Sequence, residues 1–169
     1  MLHAPRGIRP SSGQVVEAIF NILGAAIHDA AVIDLFAGSG ALGIEALSRG
    51  AAQVTFVERA ESSASILRRN LDELDYASRA EIVRTDALRW LSSHSEQVAA
   101  ASVILLDPPY ADDSAALALR ELDRRAGAGA LVVAEIGTHT RVPELSRLRE
   151  LRARRYGDSQ LRIYEAPST

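Results

Sequence analysis

The fold class follows from one stretch of the sequence, Ala31-Val32-Ile33-Asp34-Leu35-Phe36-Ala37-Gly38-Ser39-Gly40-Ala41-Leu42-Gly43. The apolar run at 31–36 is typical of a strand that is buried on both faces of a sheet. The turn that follows contains two glycines, which reach positive φ angles and allow a ligand to approach the backbone closely. A helix is predicted over 41–49. Strand, glycine turn and helix in this order predict the first unit of a doubly wound α/β fold.

Apolar runs and amphipathic segments go on alternating along the chain. Further strands are predicted over residues 53–58, 80–84, 102–107 and 130–135. Further helices are predicted over residues 60–74, 87–92 and 114–125. Another helix is predicted after a capping box formed by Ser11 and Gln14, with these residues on its inner side: Val15, Ile19, Ile22 and Leu23. Strands that alternate with helices predict a parallel sheet covered on both faces.

The last part of the chain changes character. Residues 148–156 and 160–165 have the pattern of extended strands and flank Gly157-Asp158-Ser159. This predicts an antiparallel hairpin that closes the sheet. A parallel sheet that ends in such a hairpin is typical of the methyltransferase variant of the doubly wound, Rossmann-like fold rather than of the dehydrogenase variant.

Length and composition restrict the class of protein. The 169 residues suit one domain over 1–169, and 47% apolar residues are enough to build a core. The absence of cysteine excludes disulfides, thiolate zinc sites and cysteine nucleophiles, and the four histidines lack ligand spacing, so no metal site is expected. No apolar run approaches the ~20 residues of a membrane span, and no signal peptide is visible. We therefore expect a soluble, cytoplasmic protein.

The distribution of charge leaves two interpretations open. The net charge is −3, and all 19 basic residues are arginine. Arg6 and Arg9 mark the N-terminus, and five more crowd near the C-terminus: Arg147, Arg149, Arg152, Arg154 and Arg155. Guanidinium groups suit bidentate contacts with phosphate. The alternative is that the absence of lysine reflects genome composition and that these arginines form a solvated face.

Three carboxylates are predicted to lie near the glycine turn. Glu58 ends the second predicted strand, where it could accept hydrogen bonds from both ribose hydroxyls of a nucleoside cofactor. Asp86 follows the third strand and could accept one from the exocyclic amine of an adenine ring. Asp34 lies within a buried strand, where a charge is costly unless paired, and could face the cationic amino group of a methionine moiety. The alternative is a glycine turn that only packs helix on strand, with Glu58 and Asp86 as strand-end polar residues or helix caps.

The fourth predicted strand ends in Asp107-Pro108-Pro109-Tyr110. Two prolines fix the backbone and remove two N–H donors. An exocyclic amine of a base is a poor nucleophile, because its lone pair is conjugated with the ring. Asp107 and the Pro108 carbonyl could each accept one N–H of such an amine while Tyr110 stacks on the base, so that positioning against an activated sulfonium methyl donor supplies most of the catalysis. The alternative is a proline turn that only caps the strand.

Residues 35–51 closely resemble the cofactor motif of the bacterial RsmD family, whose members methylate guanine N2 in 16S ribosomal RNA. The turn at 107–110 resembles that family's catalytic turn, and further matches are Arg9-Pro10, Phe20-Asn21 and Tyr156-Gly157-Asp158. The resemblance implies a seven-stranded methyltransferase sheet, S-adenosylmethionine as cofactor, and 16S rRNA of the small ribosomal subunit or an assembly intermediate as partner. No stretch is typical of a dedicated oligomer interface, so a monomer is expected.

The resemblance also implies two sets of site residues. Those implied to bind S-adenosylmethionine are Asp34, Phe36, Gly38, Ser39, Gly40, Glu58, Arg59, Asp86 and Ala87. Those implied to hold the target base as catalytic residues are Asp107, Pro108, Pro109 and Tyr110. Residues 1–30 are expected to form a substrate-side N-terminal segment and helix.

Three other functions remain open. The catalytic turn also occurs in methyltransferases that act on adenine or cytosine amines of DNA or another RNA. A nicotinamide dehydrogenase would use the glycine turn, although the proline turn and the hairpin argue against it. A catalytically inactive rRNA-docking relative is the third, because Gly13, Gln14 and Val16 replace an acid and two arginines of the family, and only eight residues precede Arg9.

Overall fold

The structure, a computed structural model, describes residues 13–109 and 113–168. The features predicted at Arg6, Arg9-Pro10, Ser11 and Tyr110 lie outside the described residues. The strands are β1 (Ala31–Leu35), β2 (Gln53–Val57), β3 (Ala80–Val83), β4 (Val103–Leu106), β5 (Leu131–Gly137), β6 (Arg149–Tyr156) and β7 (Ser159–Glu165). The α-helices are α1 (Gly13–Leu23), α2 (Ala41–Ser48), α3 (Glu61–Glu73), α4 (Ala87–Ser93), α5 (Ser95–Ala100) and α6 (Ser114–Arg125).

These strands form one sheet in the order β3-β2-β1-β4-β5-β7-β6. Strands β1 to β5 pair in parallel. Strand β7 runs antiparallel between β5 and β6, so the second strand of the hairpin joins the parallel part and the first becomes the sheet edge. The predicted doubly wound sheet with a C-terminal antiparallel hairpin is confirmed.

The predicted elements within the described residues are all present, with each end within about two residues of its predicted position. Helix α5 was not predicted, because six residues with Val98 alone buried are too short to show a periodic apolar face. In α1 the structure buries Phe20 and leaves Ile22 only partly buried, which corrects the predicted inner side. No helix in the described part of the chain is long and apolar enough to cross a membrane.

Two apolar layers cover the sheet, one on each face. Because strand side chains alternate, Val32 and Leu105 face one layer while Ile33 and Leu106 face the other. The first layer is completed by helices α1, α2 and α3, and the second by α4, α5 and α6, which include the fully buried Trp90. The central strands are thus buried on both sides, which explains their nearly continuous apolar sequences.

Asp123 of α6 anchors the chain just before β6. Its carboxylate accepts hydrogen bonds from the backbone N–H groups of Ser146, Arg147 and Leu148 at 2.7–2.9 Å, and from the Ser146 hydroxyl. Burial raises the pKa of Asp123, but these hydrogen bonds outweigh burial and lower the pKa to about 2. The ionised carboxylate therefore holds the entry to the terminal hairpin.

Candidate active site

The carboxyl ends of β1, β2 and β4 meet at one edge of the sheet. Leu35 at the end of β1 pairs with Val57 of β2 on one side and with Leu106 of β4 on the other. The chain leaves β1 toward β2 and later returns to its other side with β4, so this is the point where the strand order reverses. Doubly wound sheets bind ligands in the crevice at such a point.

The glycine turn at this edge serves both ligand access and packing, through different glycines. Gly38 and Gly40 have φ angles of 56° and 88°, which glycine adopts without strain. A Cβ on Gly40 would lie 2.3 Å from Leu67 Cδ1 of α3, whereas a Cβ on Gly38 would meet open space. Gly40 therefore packs α3 against the turn, and Gly38 leaves its backbone accessible.

The backbone of Phe36, a residue implied to bind the cofactor, has a conformation that the sequence did not predict. Its φ angle is 59°, a left-handed conformation that costs free energy in a residue with a Cβ. The Ala37 N–H donates to the Val57 carbonyl at 3.0 Å, and the Gly40 N–H donates to the Ala37 carbonyl at 2.8 Å. These bonds hold the strained residue in place, and strain held by its surroundings is typical of functional sites.

Asp34 is buried beneath the turn, with 1% of its surface exposed. Its Oδ2 accepts a hydrogen bond from the Gly43 N–H at 2.9 Å, which ties the first turn of α2 to β1. Burial raises the pKa of Asp34 to about 7, the Gly43 hydrogen bond opposes this rise, and the negative charges of Asp107 and Glu58 add to it. A Cβ on Gly43 would lie 2.2 Å from Phe56 Cε1, so glycine is needed for this approach.

Glu58 closes the site on the β2 side. One carboxylate oxygen accepts a hydrogen bond from the Gly38 N–H at 2.8 Å, and the other accepts one from the Ala60 N–H at 2.7 Å. The carboxylate thus clamps the glycine turn to the start of α3. Each oxygen has a second lone pair, so both can accept a further hydrogen bond from a ligand.

The other residues implied to bind a cofactor differ in burial and in their contacts. Asp86 caps α4, because its Oδ1 accepts from the Arg89 N–H at 3.0 Å, so the helix-cap alternative describes part of its role. Ala87 is buried and Arg59 is exposed. The Ser39 carbonyl accepts from Nδ2 of Asn70, a buried α3 residue that sequence reasoning missed. Asn70 thereby binds the backbone of the glycine turn. The sequence did not indicate this contact, because the two residues are 31 positions apart.

The proline turn follows β4 directly. Asp107 is partly buried, Pro108 is buried and Pro109 is exposed, while Tyr110 lies outside the described residues. Asp107 follows Leu106 of β4, which pairs with Leu35 of β1, so it lies at the same edge of the sheet as Asp34, and its negative charge contributes to the raised pKa of Asp34. The structure therefore gathers Asp34, Glu58 and Asp107 around the glycine turn. The part of the chain that is described holds no cluster of three or more metal-ligating side chains.

Comparison with known proteins links this site to a family. The family model described as Conserved hypothetical protein 95 matches residues 1–165. The chain is 34% identical to YlbH of Bacillus subtilis over 160 residues, which is 93% of this chain and 87% of that protein. It is 42% identical over 105 residues, 62% of this chain, to the Haemophilus influenzae protein named Ribosomal RNA small subunit methyltransferase D. The chain spans 54% of the length of that relative.

Solved structures share the fold over nearly the whole chain. The Escherichia coli protein yhhF superposes with a TM-score of 0.86 at 30% identity, covering 99% of this chain and 92% of that one. An RNA methyltransferase from Salinibacter ruber, in complex with S-adenosyl-L-homocysteine, has a TM-score of 0.72 at 17% identity and 95% coverage of each chain, a likeness of fold alone. Since the family model spans both the glycine turn and the proline turn, the chain belongs to the family described as Conserved hypothetical protein 95, the RsmD family that its motifs resemble.

Proposed function

We propose that this protein transfers a methyl group from S-adenosylmethionine to the exocyclic N2 amine of a guanine in 16S rRNA. The observation that carries the proposal is the gathering of Asp34, Glu58 and Asp107 around an accessible glycine turn at the switch point of the sheet. The name of the Haemophilus influenzae relative, Ribosomal RNA small subunit methyltransferase D, supports the choice of substrate.

The glycine-turn side fits S-adenosylmethionine. The open space over Gly38 admits a ligand against the backbone, and Glu58 has lone pairs left for ribose hydroxyls. Asp86 accepts the adenine amine, and Asp34 faces the methionine ammonium. The other residues proposed to line this side are Phe36, Ser39, Gly40, Arg59 and Ala87. When bound, S-adenosylmethionine supplies a methyl group already activated on a sulfonium centre.

The β4 side holds the target base. Asp107 and the Pro108 carbonyl each accept one N–H of the guanine amine, which fixes the amine and aims its lone pair at the methyl group. Pro108 and Pro109 keep this turn rigid, since neither backbone can leave its fixed φ. Tyr110 stacks on the base face. These residues thus act by positioning. Holding two reactants in the reactive orientation can by itself accelerate a reaction greatly.

The proposal includes the setting of the reaction. A base inside a helix must be unpaired or flipped out to reach Asp107, so the substrate is a folded RNA that presents one accessible guanine. We propose the small ribosomal subunit, or an intermediate in its assembly, as that partner. The protein acts in the cytoplasm as a monomer, with 1–169 as a single methyltransferase domain and no metal ion.

The test is transfer of labelled methyl from S-adenosylmethionine to small subunits that lack the native modification. Naked rRNA and duplex DNA are parallel substrates, and Asp107→Ala is the control variant, because alanine removes both oxygens that could accept an N–H of the amine. Label in one guanine of the subunit, lost in the variant while S-adenosyl-L-homocysteine still binds, supports the proposal. Label in adenine or cytosine, or in DNA, would show that the substrate is not the proposed guanine of 16S rRNA. Cofactor binding without transfer to any substrate would favour an inactive docking protein.

A further inference from the structure

A groove with two arginines lies between helix α1 and the edge strand β6. It has a volume of about 430 Å³ and is lined by Ala18, Asn21 and Ile22 of α1 and by Arg152 and Arg154 of β6. Both arginines are exposed. Glu17, the acidic residue of α1, does not line the groove. The groove therefore combines two positive charges, an amide and an apolar wall, with no carboxylate among its lining residues.

The groove arginines lack the carboxylate partners that many other arginines of the described residues have. Seven others form ion pairs with carboxylates: Arg49, Arg68, Arg69, Arg84, Arg124, Arg125 and Arg162. No ion pair or side-chain hydrogen bond of Arg152 or Arg154 is present within residues 13–109 and 113–168. Because both guanidinium groups keep all their donors, they remain available to an anionic partner.

The strand register relates the groove to the catalytic edge. One row of paired residues crosses the sheet from β6 to β4: Arg152, Ile163, Val133 and Leu105. The last three belong to the apolar layer on the α1 side, so Arg152 emerges on that side too. Asp107 follows Leu105 by two residues in sequence. Three steps between strands, each ~4.8 Å, put the groove about 14 Å from the catalytic edge.

We infer that this groove binds the phosphodiester backbone of the RNA substrate, an inference that rests on the proposed function. Each guanidinium group donates two parallel hydrogen bonds to a phosphate, as its planar fork allows. The Asn21 amide donates to a neighbouring phosphate or ribose 2′-hydroxyl. RNA carries a charge at every nucleotide, so a strand that delivers one base to Asp107 presents further phosphates across the intervening distance. Contacts of this kind set the position of a nucleic acid and leave base selection to the active site.

The test compares the R152A/R154A variant with an R124A/R155A variant. Both variants remove two exposed positive charges. Arg124 lies on α6, which packs on the opposite face of the sheet. Arg155 is on β6 but does not line the groove. Binding of 16S rRNA is measured by fluorescence anisotropy over a range of salt concentrations, without methyl transfer. The groove variant should bind roughly tenfold more weakly, and the slope of log Kd against log salt should fall by about two. The control should keep the wild-type slope, and R152K/R154K should restore most of it.

Methylation of small subunits by the same variants separates this inference from the proposed function. The groove variant should raise the KM for subunits and leave the Kd of S-adenosyl-L-homocysteine unchanged. An unchanged rRNA affinity and salt slope in the groove variant would overturn the inference, even if the wild type methylates subunits. A higher KM with an unchanged salt slope would also overturn it, in favour of a protein partner at the groove. Loss of salt-dependent rRNA binding in the groove variant supports the inference even where the wild type transfers no methyl group, a result that would count against the proposed function alone.

Discussion

We predict that the buried carboxylate of Asp34 makes the binding of S-adenosyl-L-homocysteine depend on pH. With a pKa of about 7, Asp34 is mostly protonated at about pH 5.5 in the free protein and half ionised at about pH 7. A ligand ammonium group that faces Asp34 favours the ionised form. Binding S-adenosyl-L-homocysteine at the lower pH must therefore remove a proton, and the Kd should be about fifteenfold higher at pH 5.5 than at pH 7.

The assay is isothermal titration calorimetry of S-adenosyl-L-homocysteine in this pH range, where the ligand amine stays protonated. In buffers of different ionisation enthalpy, binding near pH 7 should release about half a proton. Asp34→Asn is the control, because an asparagine carbonyl still accepts the Gly43 N–H and does not titrate. The variant should bind more weakly at pH 7 and lose the pH dependence of the wild type. Equal pH dependence in both proteins would refute the assignment of Asp34 to the ligand ammonium.

Protein stability gives an independent check of the same group. The folded pKa of Asp34 lies above the unfolded value of 3.8, so the free energy of unfolding falls as pH rises from about 4 to about 7. The shift of about three units corresponds to at most about 4 kcal/mol. Asp34→Asn should therefore melt at a higher temperature than the wild type at neutral pH. A lower melting temperature would mean that the carboxylate is paired more favourably in the fold than its burial implies.

Three further predictions concern single positions. Glu58→Gln should raise the Kd of S-adenosyl-L-homocysteine about tenfold or more by calorimetry, because a charge-assisted acceptor is lost and its NH₂ faces a backbone N–H; an unchanged Kd would remove Glu58 from the site. Gly43→Ala should lower the free energy of unfolding by about 1–3 kcal/mol in urea, because its Cβ meets Phe56, while Gly13→Ala, with open space around it, should not destabilise. Asp123→Asn should destabilise by about 2 kcal/mol at pH 7, since the lowered pKa gives stability above about pH 4 that is lost as pH falls toward about 2; a difference from the wild type that persists below pH 2 would contradict this cause.

The strand and helix pattern could be predicted because its signals are local. The stretch from Ala31 to Gly43 contains a complete strand, turn and helix, and its apolar runs have the lengths of the elements that they form. The carboxylates at the strand ends could be placed together for the same reason, since parallel strands end at one edge of the sheet. Helix α5 escaped prediction because its one buried side chain, Val98, forms no periodic pattern.

Contacts between residues far apart in the chain could not be predicted from local sequence patterns. Sequence spacing did not separate the packing role of Gly40 from the accessible backbone of Gly38, because the difference depends on Leu67 of α3. The hydrogen bond from Asn70 to the Ser39 carbonyl likewise depends on the packing of α3 against the turn. For Asp86, the two interpretations offered by the sequence were not exclusive, since a helix cap retains lone pairs for a ligand.

The sequence by itself determined the doubly wound class, the family, and the strands near whose carboxyl ends Asp34, Glu58 and Asp107 lie. It could do so because hydrophobic periodicity and turn chemistry act over a few residues. Only the tertiary structure decided that β7 lies between β5 and β6, that Asp34 titrates near neutrality, and that Arg152 and Arg154 share a groove with α1. Strand order, burial and charge proximity each depend on which distant segments pack together. Such packing is selected by the free energy of the whole core rather than by any local signal.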